Sequence, residues 1–439
     1  MHEPMDEQKK TPSPGPLMTI IPHISPREYA KILKRPSGDV PGREEKVAQI
    51  IRRVEDGGDE ALRDICLEID GRVAPAFEVP RSELLQAGSD VDEHLRNAVS
   101  QAIKNIQAFH KAQLPKPFSM ETMPGVRCSL KYTAIKRVGL YIPGGTAPLL
   151  STVLMTAIPA TIAGCDEIIV CTPAGASPEL LFTLGLFNTR VFRLGGAQAI
   201  AAMALGTESI PKTDKIFGPG NAWVTSAKMQ LASRGLAIDM PAGPSEVMVI
   251  ADHTANPAYV AADLLSQAEH GNDSQVILLA TSMDLINDTM EAIRVQLESL
   301  SRKDTILSAL AHALAICVTD SSQALEVSNF YGPEHLILST EDASALADQV
   351  TNAGSVFIGN YSPESAGDYA SGTNHTLPTG GASSAWSGIT TAAFMKSITT
   401  QEISREGLMA LAPAVLQLSR AEGLDAHANA ILQRIQTDQ

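Results

Sequence analysis

Between Pro26 and Lys116 apolar positions recur at the helical spacing of about 3.6 residues, as in EEKVAQIIRRVEDGGDEALRDI and EHLRNAVSQAIKNIQAFHKAQ, each broken by Gly or Pro. This predicts a helical lead-in. After Arg137 the pattern changes to short β-branched runs alternating with helices. RVGLYI is followed by a helix near Ser151 to Gly164, EIIVCT by a helix near Pro178 to Leu186, and then come RVFRLG, KIFG and a further helix. A second set consists of EVMVIAD (246–252), SQVILLA (274–280), AICVTD (315–320), EHLILS (334–339) and SVFIG (355–359), again with helices between them. Such alternation is the signature of βαβ units and parallel sheets. The stretch Thr399 to Gln439 reads as two helices parted near Glu422 to Leu424, too short to fold alone.

The predicted architecture is α/β, with two Rossmann-like parallel-sheet domains, an N-terminal arm and a small C-terminal helical domain. Residues 1–32 form the arm, and residues 33–140 with 246–385 form a discontinuous first Rossmann-like domain. Residues 141–245 form a second one, and residues 386–439 form the helical piece. A length of 439 residues agrees with roughly three units of about 150 residues.

Composition narrows the function. Lys and Arg number 34 against 49 Asp and Glu, a net charge of −15, which argues against nucleic acid or an anionic membrane as partner and favours a small polar substrate. Five cysteines without a CxxC pair indicate neither a disulfide framework nor a thiolate metal site, so a reducing compartment is expected. Cys165 and Cys171 have no neighbouring His and read as small buried hydrophobes. The longest uncharged stretch, Val138 to Cys165, carries Pro143, Gly144, Gly145, Pro148 and Pro159 and is not a membrane helix. Residues 1–17 are polar and Pro-rich, with Met18 an alternative start and no secretory or transit pattern, so the expected location is the cytoplasm.

Glycines cluster where strands meet helices: YIPGGTAPL (141–149), LGGAQA (194–199), FGPGNAW (217–223) and MPAGPSE (240–246). Backbone amides at such turns can face a phosphate or carboxylate unobstructed. FGPGNAW departs from the dinucleotide fingerprint, because Trp223 stands where the third glycine belongs. Each turn alone is equally a plain tight turn; together the four favour a ligand crevice at a sheet's carboxyl edge.

Gln267 and His270 lie three apart in LLSQAEHGNDS near a helix end that Gly271 stops, so their side chains point the same way. His335 follows Glu334 at a strand start, Asp368 and His375 lie in the polar loop SAGDYASGTNHTLPTGG, and His427 lies in EGLDAHANA. A Gln, His, Asp, His set suits a borderline divalent ion such as Zn²⁺. Each residue taken alone is also compatible with a surface or core position, and His23, His94, His110, His253 and His312 are read that way.

The segments VGLYIPGGTAPL, GGAQAIAA, KIFGPGNAWVT, IDMPAGPSEV, DLLSQAEHG, SQVILL, YGPEHL, SPESAGDYASGTNH and EGLDAHANA together resemble the histidinol dehydrogenase family from about residue 25 to 435. The resemblance implies a cytoplasmic, zinc-dependent, NAD-linked oxidoreductase of histidine biosynthesis that takes L-histidinol through L-histidinal to L-histidine. It implies one Zn²⁺ per subunit on Gln267, His270, Asp368 and His427, and substrate contacts from those residues with Ser245, Glu334, His335, His375 and Glu422. His335 would be the base, neutral near pH 7, and Glu334 would activate water. NAD contacts would come from Tyr141, Gln198 and Asn221. A homodimer is implied whose sites take Glu422 and His427 from the neighbouring subunit. The first 17 residues and Ala382 to Gly388 depart from the family wording. Two alternatives stand beside this reading: a paralogous NAD-dependent dehydrogenase of another small alcohol such as a sulfopropanediol, and a catalytically silent metal-binding protein. Retention of Glu422 and His427 speaks against the first, retention of Glu334 and His335 against the second.

Overall fold

A computed structural model describes residues 17–36, 40–144, 149–240 and 243–436. The arm up to residue 16, and parts of the turns YIPGGTAPL and MPAGPSE, lie outside the described residues.

The first sheet has six parallel strands in the order β1 (Thr19–Ile21), β11 (Leu314–Cys317), β10 (Gln275–Ala280), β9 (Glu246–Ala251), β12 (His335–Ser339) and β13 (Ser355–Ile358). β9 and β10 are buried at every position, which explains their unbroken apolar wording: helices cover both faces. The two-residue period divides them, with Val247, Val249 and Ala251 entering one core and Met248 and Ile250 the other. Between β9 and β12, where the strand order reverses, the Asp252 carboxylate accepts from Thr254 N at 2.8 Å and Glu341 N at 2.9 Å.

The second sheet has five parallel strands, β6 (Arg190–Arg193), β5 (Glu167–Thr172), β4 (Arg137–Tyr141), β7 (Lys215–Phe217) and β8 (Ala237–Ile238). The Leu150–Ala163 helix beside it is apolar nearly all round and correspondingly buried. A third, antiparallel sheet joins β14 (Met395–Ile403), β3 (Val126–Ala134) and β2 (Phe118–Met123), with Met395 opposite Ala134 and Ile403 opposite Val126. No helix of the described residues is long and apolar enough to cross a membrane.

Three boundaries differ from the sequence expectation. Thr19–Ile21, expected in the arm, is an edge strand of the first sheet. The lead-in, expected with the first domain, packs on the second sheet: Arg43–Asp70 lies against the helices Gly196–Leu205 and Ala222–Ala232, and Glu93–Ala112 against Leu150–Ala163. Its apolar face, Val47, Ile51, Val54, Leu62 and Ile65, shares a core with Phe192 and Ile200, and β4, placed across the 140/141 boundary, is the middle strand of that sheet. The C-terminal piece is not wholly helical, because residues 395–403 form β14 before the helices Arg405–Ala421 and Asp425–Ile435.

Candidate functional site

The chemistry-bearing residues of the first sheet gather at the amino ends of β9, β10 and β12. Gln267 sits in the last turn of the Pro257–Ala268 helix, completely buried, and neither its Oε1 nor its Nε2 has a partner. His270, just past that helix, is exposed and brings Nε2 to 4.0 Å from Asp368 Oδ2. Asp368, expected in a loop, lies on the short helix Glu364–Tyr369, and its buried Oδ1 is also unpartnered. One turn earlier on the same helix is Glu364, which sequence reasoning missed. It is 1% exposed with neither oxygen hydrogen-bonded. The four-residue spacing of Glu364 and Asp368, which puts both carboxylates on one helix face, was the available signal.

Ligand atoms of His270, Glu364 and Asp368 lie within 4.8 Å of one another, a grouping of His and carboxylate donors that meets the geometry of an ion site. Buried carboxylates and an amide without partners are costly. A divalent cation held by His270, Glu364 and Asp368 would satisfy the two carboxylates, and the mixed nitrogen and oxygen donors suit Zn²⁺.

His335 opens β12, with Nδ1 3.0 Å from Glu246 O and Nε2 3.6 Å from Asp368 Oδ1. Donation from Nδ1 to that carbonyl leaves Nε2 as the nitrogen free to exchange a proton. Glu334 Oε2 accepts from Glu246 N at 2.8 Å, and burial pushes this carboxyl up to about 8. Burial alone would keep His335 neutral, but the carboxylates of Glu364, Glu334 and Asp368 outweigh it and lift the imidazole to about 10. The neutral imidazole expected near pH 7 is therefore not the state the protein favours by itself. A cation bound beside Asp368 would oppose that charge by like-charge repulsion and favour the neutral imidazole.

His375 joins the cluster through Nδ1, 3.0 Å from Asp368 O. Ser245 precedes β9 and accepts Gln275 N on its carbonyl at 2.9 Å. Glu422 and His427, by contrast, are exposed on the C-terminal helical pair and do not belong to the His270, Glu364 and Asp368 grouping.

The second sheet offers its carboxyl edge. Tyr141 ends β4, and its hydroxyl accepts Gly196 N at 3.0 Å at the start of the helix that carries the buried Gln198. Asn221 caps the Ala222–Ala232 helix, its Oδ1 accepting Trp223 N at 3.1 Å and Val224 N at 3.2 Å. Gly218, at φ +119, follows β7; a Cβ there would lie 2.1 Å from Tyr141 O. Its turn is held by a buried ion pair: Lys228 Nζ donates to Gly218 O at 3.1 Å and pairs with Asp239, whose other oxygen accepts Gly218 N at 2.8 Å. Side-chain-free amide turns at a parallel sheet's carboxyl edge fit a dinucleotide. Cys171 lies in the buried core, and burial pushes the Cys165 thiol up to about 12.

The family model described as histidinol dehydrogenase matches residues 33–435. Histidinol dehydrogenase of Escherichia coli K12 is 52% identical over 392 residues, covering 89% of this chain and 90% of its own length. That of Xylella fastidiosa Temecula1 is 51% identical over 413 residues, covering 92% and 96%. The crystal structure of histidinol dehydrogenase from Elizabethkingia anophelis superposes with a TM-score of 0.93 at 43% identity, covering 96% of this chain and 99% of that one.

Proposed function

This chain belongs to the histidinol dehydrogenase family, and on that premise we propose that it oxidises L-histidinol by way of L-histidinal to L-histidine, the closing steps of histidine biosynthesis, with two NAD⁺ as oxidants and one Zn²⁺ per subunit. The observation that carries this reading is the His270, Glu364 and Asp368 grouping beside His335, with buried carboxylate oxygens that lack hydrogen-bond partners.

Gln267, His270 and Asp368 would hold the zinc, with His427 supplied by a neighbouring subunit. Bound zinc anchors the substrate's nitrogens and stabilises negative charge, and bound NAD⁺ accepts the hydrides. Nε2 of His335, with Nδ1 tied to Glu246 O at 3.0 Å, takes the alcohol proton in the first oxidation. Glu334 orients a water and takes its proton as the water adds to the aldehyde carbon, and the resulting hydrate is oxidised in the second step. Ser245, His375 and Glu422 complete the substrate contacts. Tyr141, Gln198 and Asn221 line the dinucleotide crevice.

A homodimer with shared sites is supported by the exposure of Glu422 and His427 on helices that pack chiefly on each other. The free thiols support a reducing compartment, the cytoplasm.

The deciding experiment counts NADH formed from L-histidinol by chelator-stripped protein before and after Zn²⁺ is restored. Zinc-dependent turnover with about two NADH per histidinol, as two hydride transfers demand, is expected. One NADH per histidinol removes the role of Glu334. No turnover in folded protein brings forward a dehydrogenase of another small alcohol.

A further inference from the structure

Among the described residues, Glu246 is the one that hydrogen-bonds both acid–base side chains. Its N–H donates to Glu334 Oε2 at 2.8 Å, and its carbonyl lies 3.0 Å from His335 Nδ1. The Glu246 backbone is registered against Gln275 of β10, whereas the β9–β12 ladder begins one residue later, pairing Val247 with His335.

A second device anchors the Glu246 side chain. The Glu246 carboxylate, 3% exposed, receives a fork from Arg35: Nε to Oε1 at 2.6 Å and Nη2 to Oε2 at 3.1 Å. Oε1 also accepts Gly380 N at 3.0 Å. The same guanidinium reaches over to Tyr331 O at 2.8 Å and Gly332 O at 3.4 Å, and stacks 3.7 Å from the centre of the Tyr331 ring. Tyr331 and Gly332 are the residues that lead through Pro333 into Glu334. Arg35 therefore grips both sides of the acid–base pair, the residue that holds it and the turn that delivers it. A buried ion pair of this kind is a poor source of net stability compared with apolar packing, whereas its planar fork fixes geometry.

We propose that Arg35 and Glu246 are positioning residues of the active site, a clamp that sets Glu334 and His335 against each other for proton transfer. The inference rests on the acid–base roles given to those two residues above.

The test is a mutant cycle on the zinc-loaded enzyme with L-histidinal as substrate, so that the step needing Glu334 is read alone. Arg35→Met is expected to lower kcat by about 10–100-fold, the order of loss that a displacement of about 1 Å produces. KM should stay within about twofold and zinc content at the parental value, because the proposed ligands do not touch Arg35. Arg35→Lys, which keeps the charge and loses the fork, should recover part of the rate. In a Glu334→Gln background, Arg35→Met should cost much less than it does in the parent, because the group it positions is already gone. An equal loss in both backgrounds, or an undiminished kcat, overturns the clamp. Should Arg35→Met fail to fold, Arg35→Lys carries the same cycle. If Glu334→Gln alone leaves histidinal oxidation intact, the acid–base assignment itself falls; a deficient Glu334→Gln with an additive Arg35 effect sinks only the clamp.

Discussion

Replacing His110 should change how the fold responds to acid. The ring is fully buried on the Glu93–Ala112 helix, with Nδ1 3.3 Å from Thr391 Oγ1 and Nε2 3.3 Å from Asn374 Nδ2. Burial pushes its pKa from the ordinary 6.5 down to about 4. The folded state thus keeps the ring neutral while the unfolded chain takes up a proton below about 6.5. Stability is fully present above that pH, falls as the pH is lowered, and levels off below about 4. A pKa unit is worth about 1.4 kcal/mol, so the whole window carries about 3 kcal/mol and the part reached at pH 5 about 2 kcal/mol. His110→Gln cannot titrate. Urea unfolding followed by circular dichroism, at equal protein concentration and at pH 7.5 and 5, should show the parent losing about 2 kcal/mol more than the variant over that interval. Parallel losses in the two proteins would refute the reasoning, since every other group titrates in both.

His335→Asn should retain zinc and slow histidinol oxidation by about 10²–10⁴-fold, the range for losing an acid–base group; near-normal turnover removes His335 as the base. Inactive His427→Ala and inactive His335→Ala subunits, mixed with subunit exchange verified, should regain activity, and absence of rescue argues against shared sites. Lys228→Met leaves the buried Asp239 without its cation, a loss of about 3–5 kcal/mol for a broken buried pair. Because the pair holds Gly218, KM for NAD⁺ should rise by about tenfold while KM for histidinol barely moves, and Asp239→Asn added to it should restore part of the cofactor binding. Equal changes in both KM values would show a general unfolding instead.

The parallel strands were legible because a sheet covered on both faces writes unbroken apolar runs such as VMVIA and VILLA. β14 was not: MKSITTQEI is exposed at almost every position, so no buried face imposes a two-residue alternation, and its partner β3 lies far upstream. The destination of the lead-in helices was hidden for a related reason, since an amphipathic pattern states that a face is buried and not against which sheet. In the site, Gln267 and His270 were readable from helical spacing, and Glu334 and His335 from their place at a strand start. Glu364 went unread because its four-residue spacing from Asp368 carries meaning only on a helix, and in sequence that stretch reads as a polar loop. Arg35 escaped because its meaning depends on Glu246, far along the chain.

Among the described residues the four hydrophobic cores divide in pairs, two around the six-stranded sheet and two around the five-stranded sheet. Recombination between relatives must respect that division. A chimera exchanging only the segment from β4 to β8 would set foreign helices against the native faces of Arg43–Asp70 and Glu93–Ala112, mismatching Val47, Ile51 and Ile106 with unfamiliar neighbours. Crossovers placed so that both stretches travel together keep each core of single parentage.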